Sequence, residues 1–448
     1  MKKVILFIGF LITLSSFAQT KDSSTSYSFS ITQAIDFAMK NQKDVKNAII
    51  DESLALEKVH ETRAIGLPQI NSSFDVKDFI EIPTTLLPAE FVGGPPGSFI
   101  PVKFGTQYNG TASLEGSQLL FNAEYFLGLK ASKVYRELSA RATERTKIET
   151  AATVTKAYYT VLISQERMKL MDANIARVKK VMEDTKVLLN NGLVEKLDLD
   201  RLTVTYNNLL VEQEKIQRLL DLGTHLLKFQ MGMNINTALT LTDKLEGVKL
   251  DIVNVASTDK FDYAKRVEYN LFETQYRMAK LDLKRQQRSY LPTALAYGSL
   301  SGNAYRNTFS IFSMGYGWYP TALIGGTIRM PIFTGLQRNA KNQQAKLSLL
   351  KAENNMDFIK KSIDLELASS VTTLQNASLS LDNQKKNIAI AEDVVRVTKL
   401  KYEQGVGSNM EMITAETALK EAQTNYFNAL FDAIVAKTDF DKATGNFK

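Results

Sequence analysis

The sequence predicts a mostly helical fold with a small β part, written twice in one chain. Three observations carry that prediction. All nine prolines fall in two windows, Pro68 to Pro101 and Pro292 to Pro331, and proline breaks helices but is tolerated at strand starts, edges and loops. The remaining chain is nearly free of helix breakers, with its longest proline-free run from Val102 to Leu291. That run is rich in Leu, Val, Met, Lys and Glu, which favour helix. One small glycine break interrupts the helical rhythm twice, as "NNGLVEKLD" at 190–198 and "EQGVGSNME" at 403–411.

The N-terminus comes first. Lys2 and Lys3 precede the apolar run "VILFIGFLITLSSFA", which ends in Ser16-Phe17-Ala18. A charged start, a short apolar run and a small-x-small site predict a secretory signal peptide over 1–18, cut after Ala18. The run is short for a retained membrane span, and no other stretch approaches the roughly 20 apolar residues of a membrane helix. Any insertion into a bilayer therefore falls to strands. The chain has no cysteine, which excludes a thioether lipid anchor, disulfides and thiolate metal sites. The formal charge of +7 is a mild excess with both signs interspersed, and no nucleic-acid patch stands out.

The duplication is legible in letters and in pattern. "TKVLLNNGL" (185–193) aligns with "TKLKYEQGV" (398–406) at an offset of 213, which also carries Gly232 onto Gly445. Upstream, Leu67-Pro68 matches Leu291-Pro292, and Phe121 matches Phe333. Before the first break, Ala157, Val161, Ser164, Met168, Met171, Ile175, Val178, Met182, Thr185 and Leu189 alternate four and three apart. The same offset gives Ser370, Leu374, Ala377, Leu381, Gln384, Ile388, Ala391, Val395, Thr398 and Tyr402. Sustained alternation of this kind is a coiled-coil seam. A second seam follows each break: Leu199, Leu202, Tyr206, Leu209, Ile216 and Leu220, then Met412, Ala415, Leu419, Ala422, Ala429 and Ala433.

The proline windows hold the strand-like stretches. In "QINSSFDVK" (69–77), Ile70, Phe74 and Val76 alternate with Asn71, Ser73, Asp75 and Lys77. "FGTQYNGTASLEGSQ" (104–118) alternates similarly, as does the stretch around Ala322 to Met330. "LPTALAYGSLS" (291–301) alternates poorly. Strands are expected at about 68–78, 104–119, 292–302 and 318–332, with 82–101 as a loop rich in proline and glycine. An apolar strand face can lie under a helix in a soluble domain or against lipid. No spare amphipathic helix is left to cover these, and strands near 10 residues suit a tilted membrane barrel. Tyr305, Phe309, Phe312, Tyr316, Trp318 and Tyr319 cluster where an interfacial girdle belongs.

Lengths set the architecture. From Phe121 to Gly192, and again from Phe333 to Gly405, a helix would span roughly 105 Å at 1.5 Å per residue. Each needs antiparallel partners of equal length. Segments at about 31–66 plus 196–230, and about 262–290 plus 410–444, supply them. The two glycine breaks become hairpin tips far from the strands. The expected organisation is a first repeat over 19–232, a connecting segment over 233–261 and a second repeat over 262–448. Four strands per chain cannot close a membrane barrel, and an open edge in lipid costs several kcal/mol per unpaired backbone group. Several chains must share one barrel: two would give eight strands with an interior filled by side chains, three would give twelve with room for a lumen, and at least three copies are expected.

With those pieces placed, the mature chain resembles the TolC family of outer-membrane efflux proteins. The resemblance rests on "FSITQAIDFAMKNQKDV" (29–45), "RAIGLPQI" (63–70), "PIFTG" (331–335), "NNGLVEKLDL" (190–199) and "YEQGVGSNMEM" (402–412), in that spatial plan. It implies a homotrimer with a 12-stranded β-barrel in the outer membrane and a helical α-barrel tunnel across the periplasm. It further implies docking on a periplasmic adaptor (membrane fusion) protein and an inner-membrane pump of RND or ABC type, exporting small molecules or proteins. The family's adaptor-docking tips fall on Gly192, Leu193, Val194, Gly405, Val406 and Gly407. Its periplasmic aperture falls on Asp198, Arg201, Tyr402 and Glu411. Family members carry a further acid where this chain has Thr414, and a base where it has Gly407, so the resemblance implies a constriction with less charge and fewer bonds.

Two other classes compete with this reading. An enzyme finds little support: His60 and His225 lie far apart in helical segments, and there is no phosphate loop or HExxH pattern. No catalytic, cofactor or metal residues are expected. A surface adhesin or structural coiled coil without transport would suit the long helices but not the duplicated strands.

Overall fold

The computed structural model describes residues 27–245, 261–313, 315 and 317–447. The expected signal peptide, residues 246–260 of the expected connecting segment and Tyr316 lie outside the described residues. Helix dominates. The elements in order are β1 (Tyr27–Phe29), α1 (Ile31–Asn41), α2 (Lys43–Ala64), β2 (Gln69–Asp78), β3 (Thr84–Pro88), β4 (Phe99–Lys103) and β5 (Tyr108–Phe121). Then come α3 (Ala123–Asn190), α4 (Lys196–Gln230), β6 (Leu239–Leu241), α5 (Val267–Arg288), β7 (Thr293–Arg306), β8 (Tyr319–Arg329), α6 (Gln337–Glu403) and α7 (Asn409–Ala443).

The chain divides into two compact units, and each draws on both halves of the sequence. One comprises Met1–Lys46, Lys147–Lys260 and Leu367–Lys448; the other comprises Asn47–Thr146 and Phe261–Glu366.

The first unit is held by the seams. All twenty residues of the two long alternations are buried or half-buried, because a four-three repeat keeps one stripe facing its neighbours along a supercoil. Met171, Val178, Leu209 and Ile216 form one cluster; Val395, Ala415 and Leu419 form another. Each fully buried Leu or Ile contributes roughly 1.5–3 kcal/mol. The helices stop in the same way four times. Gly192, Gly232, Gly405 and Gly445 take φ of 73°, 70°, 73° and 72°, the left-handed conformation that glycine adopts without strain. At Gly192 its own N–H bonds to Leu189 O at 2.9 Å and the Leu193 N–H to Leu188 O at 3.0 Å. Gly405 and Val406 repeat this pair on Tyr402 O and Lys401 O, both at 3.1 Å.

At its other end this unit ties the start of the chain to the connecting segment. The expected lead-in helix is split at Gln42, whose ψ of 133° ends α1. The Gln42 side chain caps the next helix, its Oε1 accepting from the Val45 N–H at 3.0 Å, and Gly232 packs close by, where a Cβ would lie 2.6 Å from the Asn41 carbonyl oxygen. A capping box starts α1, with the Ser30 N–H donating to Gln33 Oε1 at 3.0 Å and the Gln33 N–H to Ser30 Oγ at 3.4 Å. Part of the connecting segment is a strand, since β6 pairs in parallel with β1. Asp243 accepts from the Ile31 N–H at 2.8 Å and lies 3.0 Å from the buried Tyr158 hydroxyl.

The second unit carries a four-stranded antiparallel sheet, order β2-β5-β7-β8. The poorly alternating stretch is one of its two central strands, Thr293–Arg306. Its pattern is blurred by small residues under aromatic rings. A Cβ on Gly302 would lie 3.3 Å from the Trp318 ring, and across the pair Tyr297 covers Gly325 of β8, where a Cβ would come within 2.8 Å of its ring. The expected loop at 82–101 is itself a hairpin, β3 paired with β4. Its alternation is hidden because Pro88 and Pro101 sit within the paired stretch.

Candidate functional site

Two places hold the residues that the sequence singles out. The first is the sheet. Register puts Ile70, Gly116, Gly298 and Ile324 in one cross-strand row, and Leu114, Leu300 and Ala322 in the next. Phe74 and Val76 continue the same face by strand alternation. The opposite face carries Asn71, Ser73, Asp75 and Lys77 against Glu115, Ser113, Thr111 and Asn109. Side chains link across that polar face: Ser73 to Ser113 at 2.8 Å, Thr111 to Asn303 at 3.1 Å and Asn303 to Thr321 at 3.4 Å.

The apolar face is bare. Ile70 is 70 % exposed, Leu300 60 % and Ile324 95 %. Both outer strands, β2 and β8, pair on one side only among the described residues. Aromatics gather towards one end of the sheet, with Phe74 against Phe312 and Trp318, and Tyr305 against Tyr319.

The second place is the pair of helical tips. Leu193 and Val406 stand 70 % and 79 % exposed, while Gly192 and Gly405 make the turns that present them. Val194 and Gly407 are half-buried. Gly407 differs from the other two tip glycines: a Cβ there would meet Lys401 Cβ and the Tyr402 nitrogen at 3.0 Å. Any side chain at 407 would press on the end of α6. The exposed apolar surface extends to Leu197 and Met410, which the sequence patterns did not single out.

Just behind the tips, Val181, Leu202 and Met412 form a buried cluster with Tyr402 packed on it. The Tyr402 hydroxyl lies 2.9 Å from Thr185 Oγ1, and Thr185 is fully buried. Asp198 is bound by Asn409, whose Nδ2 donates to the Asp198 carbonyl oxygen at 2.9 Å and to Oδ1 at 3.3 Å. Arg201 reaches Asp198 only at 4.0 Å, one helical turn away.

Glu411 stands apart. The offset of 213 that relates the two halves places it opposite Asp198 in the pattern, and each is the acid of its helix's first turn, where the helix dipole favours negative charge. Its backbone N–H donates to the capping Ser408 Oγ at 3.1 Å. Its side chain is exposed and forms no ion pair among the described residues. Thr414 turns its hydroxyl to its own helix, donating to Met410 O at 2.8 Å. The structure thus joins Asp198 with Arg201 and seats Tyr402 behind them, but leaves Glu411 outside that group.

Sequence reasoning missed Asn409. The only signal was the capping pattern Ser408-x-x-Glu411 beside it. It also missed a polar cluster higher on the helices. Glu416 on α7 lies 3.4 Å from Arg177 on α3 and is 9 % exposed. Asn174 donates to Gln423 at 2.9 Å and accepts from Arg177. Burial, ahead of the opposing pull of Arg177 and Lys399, pushes the Glu416 carboxyl above its ordinary value.

Among the described residues there is no cluster that could hold a metal ion, and no helix is long and apolar enough to cross a membrane.

Comparison with known proteins gives a consistent picture. The family model described as "Outer membrane efflux protein" matches residues 277–446. Outer membrane protein TolC of Escherichia coli is 22 % identical over 463 residues, covering 99 % of this chain and 87 % of that protein. The solved structure of the outer membrane protein VceC from Vibrio cholerae superposes with a TM-score of 0.70 at 15 % identity, covering 93 % of this chain and 96 % of that one. The Campylobacter jejuni CmeC outer membrane channel gives 0.72 at 16 % identity, covering 93 % and 86 %.

Proposed function

The chain belongs to the TolC family of outer-membrane efflux proteins, and from that premise we propose that it is the passive exit duct of a tripartite efflux or type I secretion system. Members of this family are outer-membrane channels with a long periplasmic tunnel, and they are not enzymes. TolC homologues are trimeric and work with efflux-pump components.

The observation that carries the proposal is the sheet with one polar face, one bare apolar face and two unpaired edges. In lipid an open edge costs several kcal/mol per unsatisfied backbone group. Three copies remove every edge by pairing β2 of one protomer with β8 of the next. Twelve strands then leave room for a lumen lined by Ser73, Ser113, Thr111 and Asn303, because barrel diameter grows with strand number.

In this reading the tips dock a periplasmic adaptor through Gly192, Leu193, Val194, Gly405, Val406 and Gly407. An adaptor would also cover the exposed Leu197 and Met410. Asp198, Arg201, Tyr402 and Glu411 form the periplasmic aperture, with Asn409 and Thr185 as their supports. The four matching helix stops at an offset of 213 support the assignment of two repeats, 19–232 and 262–448, joined through 233–261 after removal of a signal peptide over 1–18. The inner-membrane pump, of RND or ABC type, selects the cargo.

A planar-bilayer recording of the purified protein tests this reading. Stepwise single-channel conductance is expected. A surface adhesin or structural coiled coil would leave the bilayer silent.

A further inference from the structure

The helix ends nearest the sheet enclose a polar cleft of about 620 Å³. The last turns of α5 contribute Asp282, Arg285 and Ser289, the first turns of α6 contribute Arg338 and Lys341, and Glu124 of α3 completes the rim. Spacings of three, four and seven residues put each set on a single helix stripe.

The charges do not balance within the protein. Asp282 is taken by Arg285 at 2.7 Å. Lys341 forms no ion pair among the described residues, and the guanidinium of Arg338 lies over the Tyr290 ring at 5.7 Å. Its Nη1 is buried without a hydrogen-bond partner. Such an orphaned donor, above all a charged one, is costly to bury. Against these two cations the rim offers one unpaired carboxylate, Glu124. A ligand oxygen with negative charge would satisfy Nη1 and bring Lys341 into contact, and a phosphate group presents several such oxygens at once.

We propose that this cleft binds a phosphate group, with Arg338 as the principal partner and Lys341 completing the contacts; the Ser289 hydroxyl is already committed to Gln286 O at 2.8 Å. Two sources share that chemistry, a phospholipid headgroup and free phosphate. The surroundings favour the lipid. From the end of β8 to the start of α6 the chain bares Ile328, Ile332, Phe333 and Leu336, at 76 %, 97 %, 81 % and 69 % exposure. An apolar collar beside a cationic cleft is the arrangement that receives acyl chain and headgroup together. Only this preference rests on the channel reading; the cleft's charge does not.

The test uses the full-length protein, delipidated in detergent and titrated with phosphatidylglycerol, inorganic phosphate or diacylglycerol, with bound ligand read by native mass spectrometry. Arg338→Gln and Lys341→Gln are each expected to weaken binding of the phosphate-bearing probes about tenfold. Lys351→Gln, an exposed charge further along α6, is expected to leave it unchanged. Retention of phosphatidylglycerol alone identifies the lipid, and retention of inorganic phosphate identifies the free anion as sufficient; both support the site. Equal binding by all variants, or diacylglycerol held as well as phosphatidylglycerol, overturns it. Lys341 is exposed, so its variant keeps the test valid if loss of the Tyr290 contact disturbs folding of the other. Bilayer conductance of the same samples separates the two readings, since a failed site leaves the current intact.

Discussion

Asn409 on α7 holds Asp198 on α4 at two points, the backbone carbonyl at 2.9 Å and the carboxylate at 3.3 Å. The pair bridges the two returning helices one turn behind their tips, and Asn409 is buried while doing so. Arg201 contributes less, since an ion pair at 4.0 Å with a half-exposed guanidinium is close to neutral in energy. Asn409→Ala is therefore expected to loosen the α4–α7 contact more than Arg201→Ala does. In bilayer recordings the Asn409 variant should show the larger rise in resting conductance, and Asp198→Ala combined with Glu411→Ala should widen the aperture further. Currents identical to wild type in both variants would remove these residues from the aperture.

The tip glycines make a sharper prediction because sterics and backbone strain separate cleanly there. A Cβ on Gly192 or Gly405 would meet no atom within 4 Å, yet both residues have φ near the left-handed minimum, 73° in each case. Alanine at either position is expected to cost about 1 kcal/mol from backbone conformation alone. At Gly407 the penalty is steric, through Lys401 and Tyr402. Gly405→Pro, which also removes the N–H bonded to Tyr402 O, is expected to abolish export while trimers still assemble. Chemical denaturation ranks the stabilities, and drug-tolerance assays read the export; normal tolerance in the proline variant would refute the docking role.

Much of this was legible beforehand, for reasons that can be located. The seams were readable because a four-three repeat survives over many turns, and Met171, Val178, Leu209 and Ile216 cluster accordingly. The glycine stops were readable because only a left-handed residue ends a helix this way. The second proline window was harder. β7 hides its alternation because Gly298 and Gly302 make room for neighbours that arrive from β8 and the residue before it, as with Leu323 O and Trp318, and that pairing is invisible in a local pattern. The break at Gln42 has a local mark that the pattern did not show, since Gln42 Oε1 accepts from the Val45 N–H at 3.0 Å and so caps α2. At the tips, the resemblance located Asp198 but not its partner Asn409, because position 409 corresponds to Lys196 in the first half and so breaks the repeat.

Glu416 carries a pH dependence whose sign follows from its burial. Its folded-state value is raised above the ordinary 4.5. A raised carboxyl contributes stability that is fully present below the unfolded value and is lost as pH rises through the folded one. Thermal stability should therefore decline from this residue as pH climbs from about 4.5, by linkage, towards neutrality. Glu416→Gln is expected to flatten that slope and not to lower Tm at neutral pH. Arg177 is 37 % exposed and can turn to water when its partner is gone. Melting curves across pH for the two proteins decide it; a steeper slope in the glutamine variant would show that Arg177, not burial, sets the balance.

The two faces of the sheet can be tested by one substitution on each. Ile324 is on the apolar face at 95 % exposure, in the row with Gly298, Gly116 and Ile70. Thr321 lies on the other face, 3.4 Å from Asn303. If lipid covers the first and water fills the second, arginine behaves differently at each. On the lipid side it costs about 2–4 kcal/mol near the bilayer midplane, so Ile324→Arg should reduce folded trimer in the outer membrane. In the lumen the same side chain stays hydrated, so Thr321→Arg should assemble normally and shift the channel's ion selectivity towards anions. Heat-modifiable gel mobility scores assembly, and reversal potentials under a salt gradient score selectivity. Equal assembly of the two variants would mean that the apolar face does not meet lipid, and the barrel would fall with it.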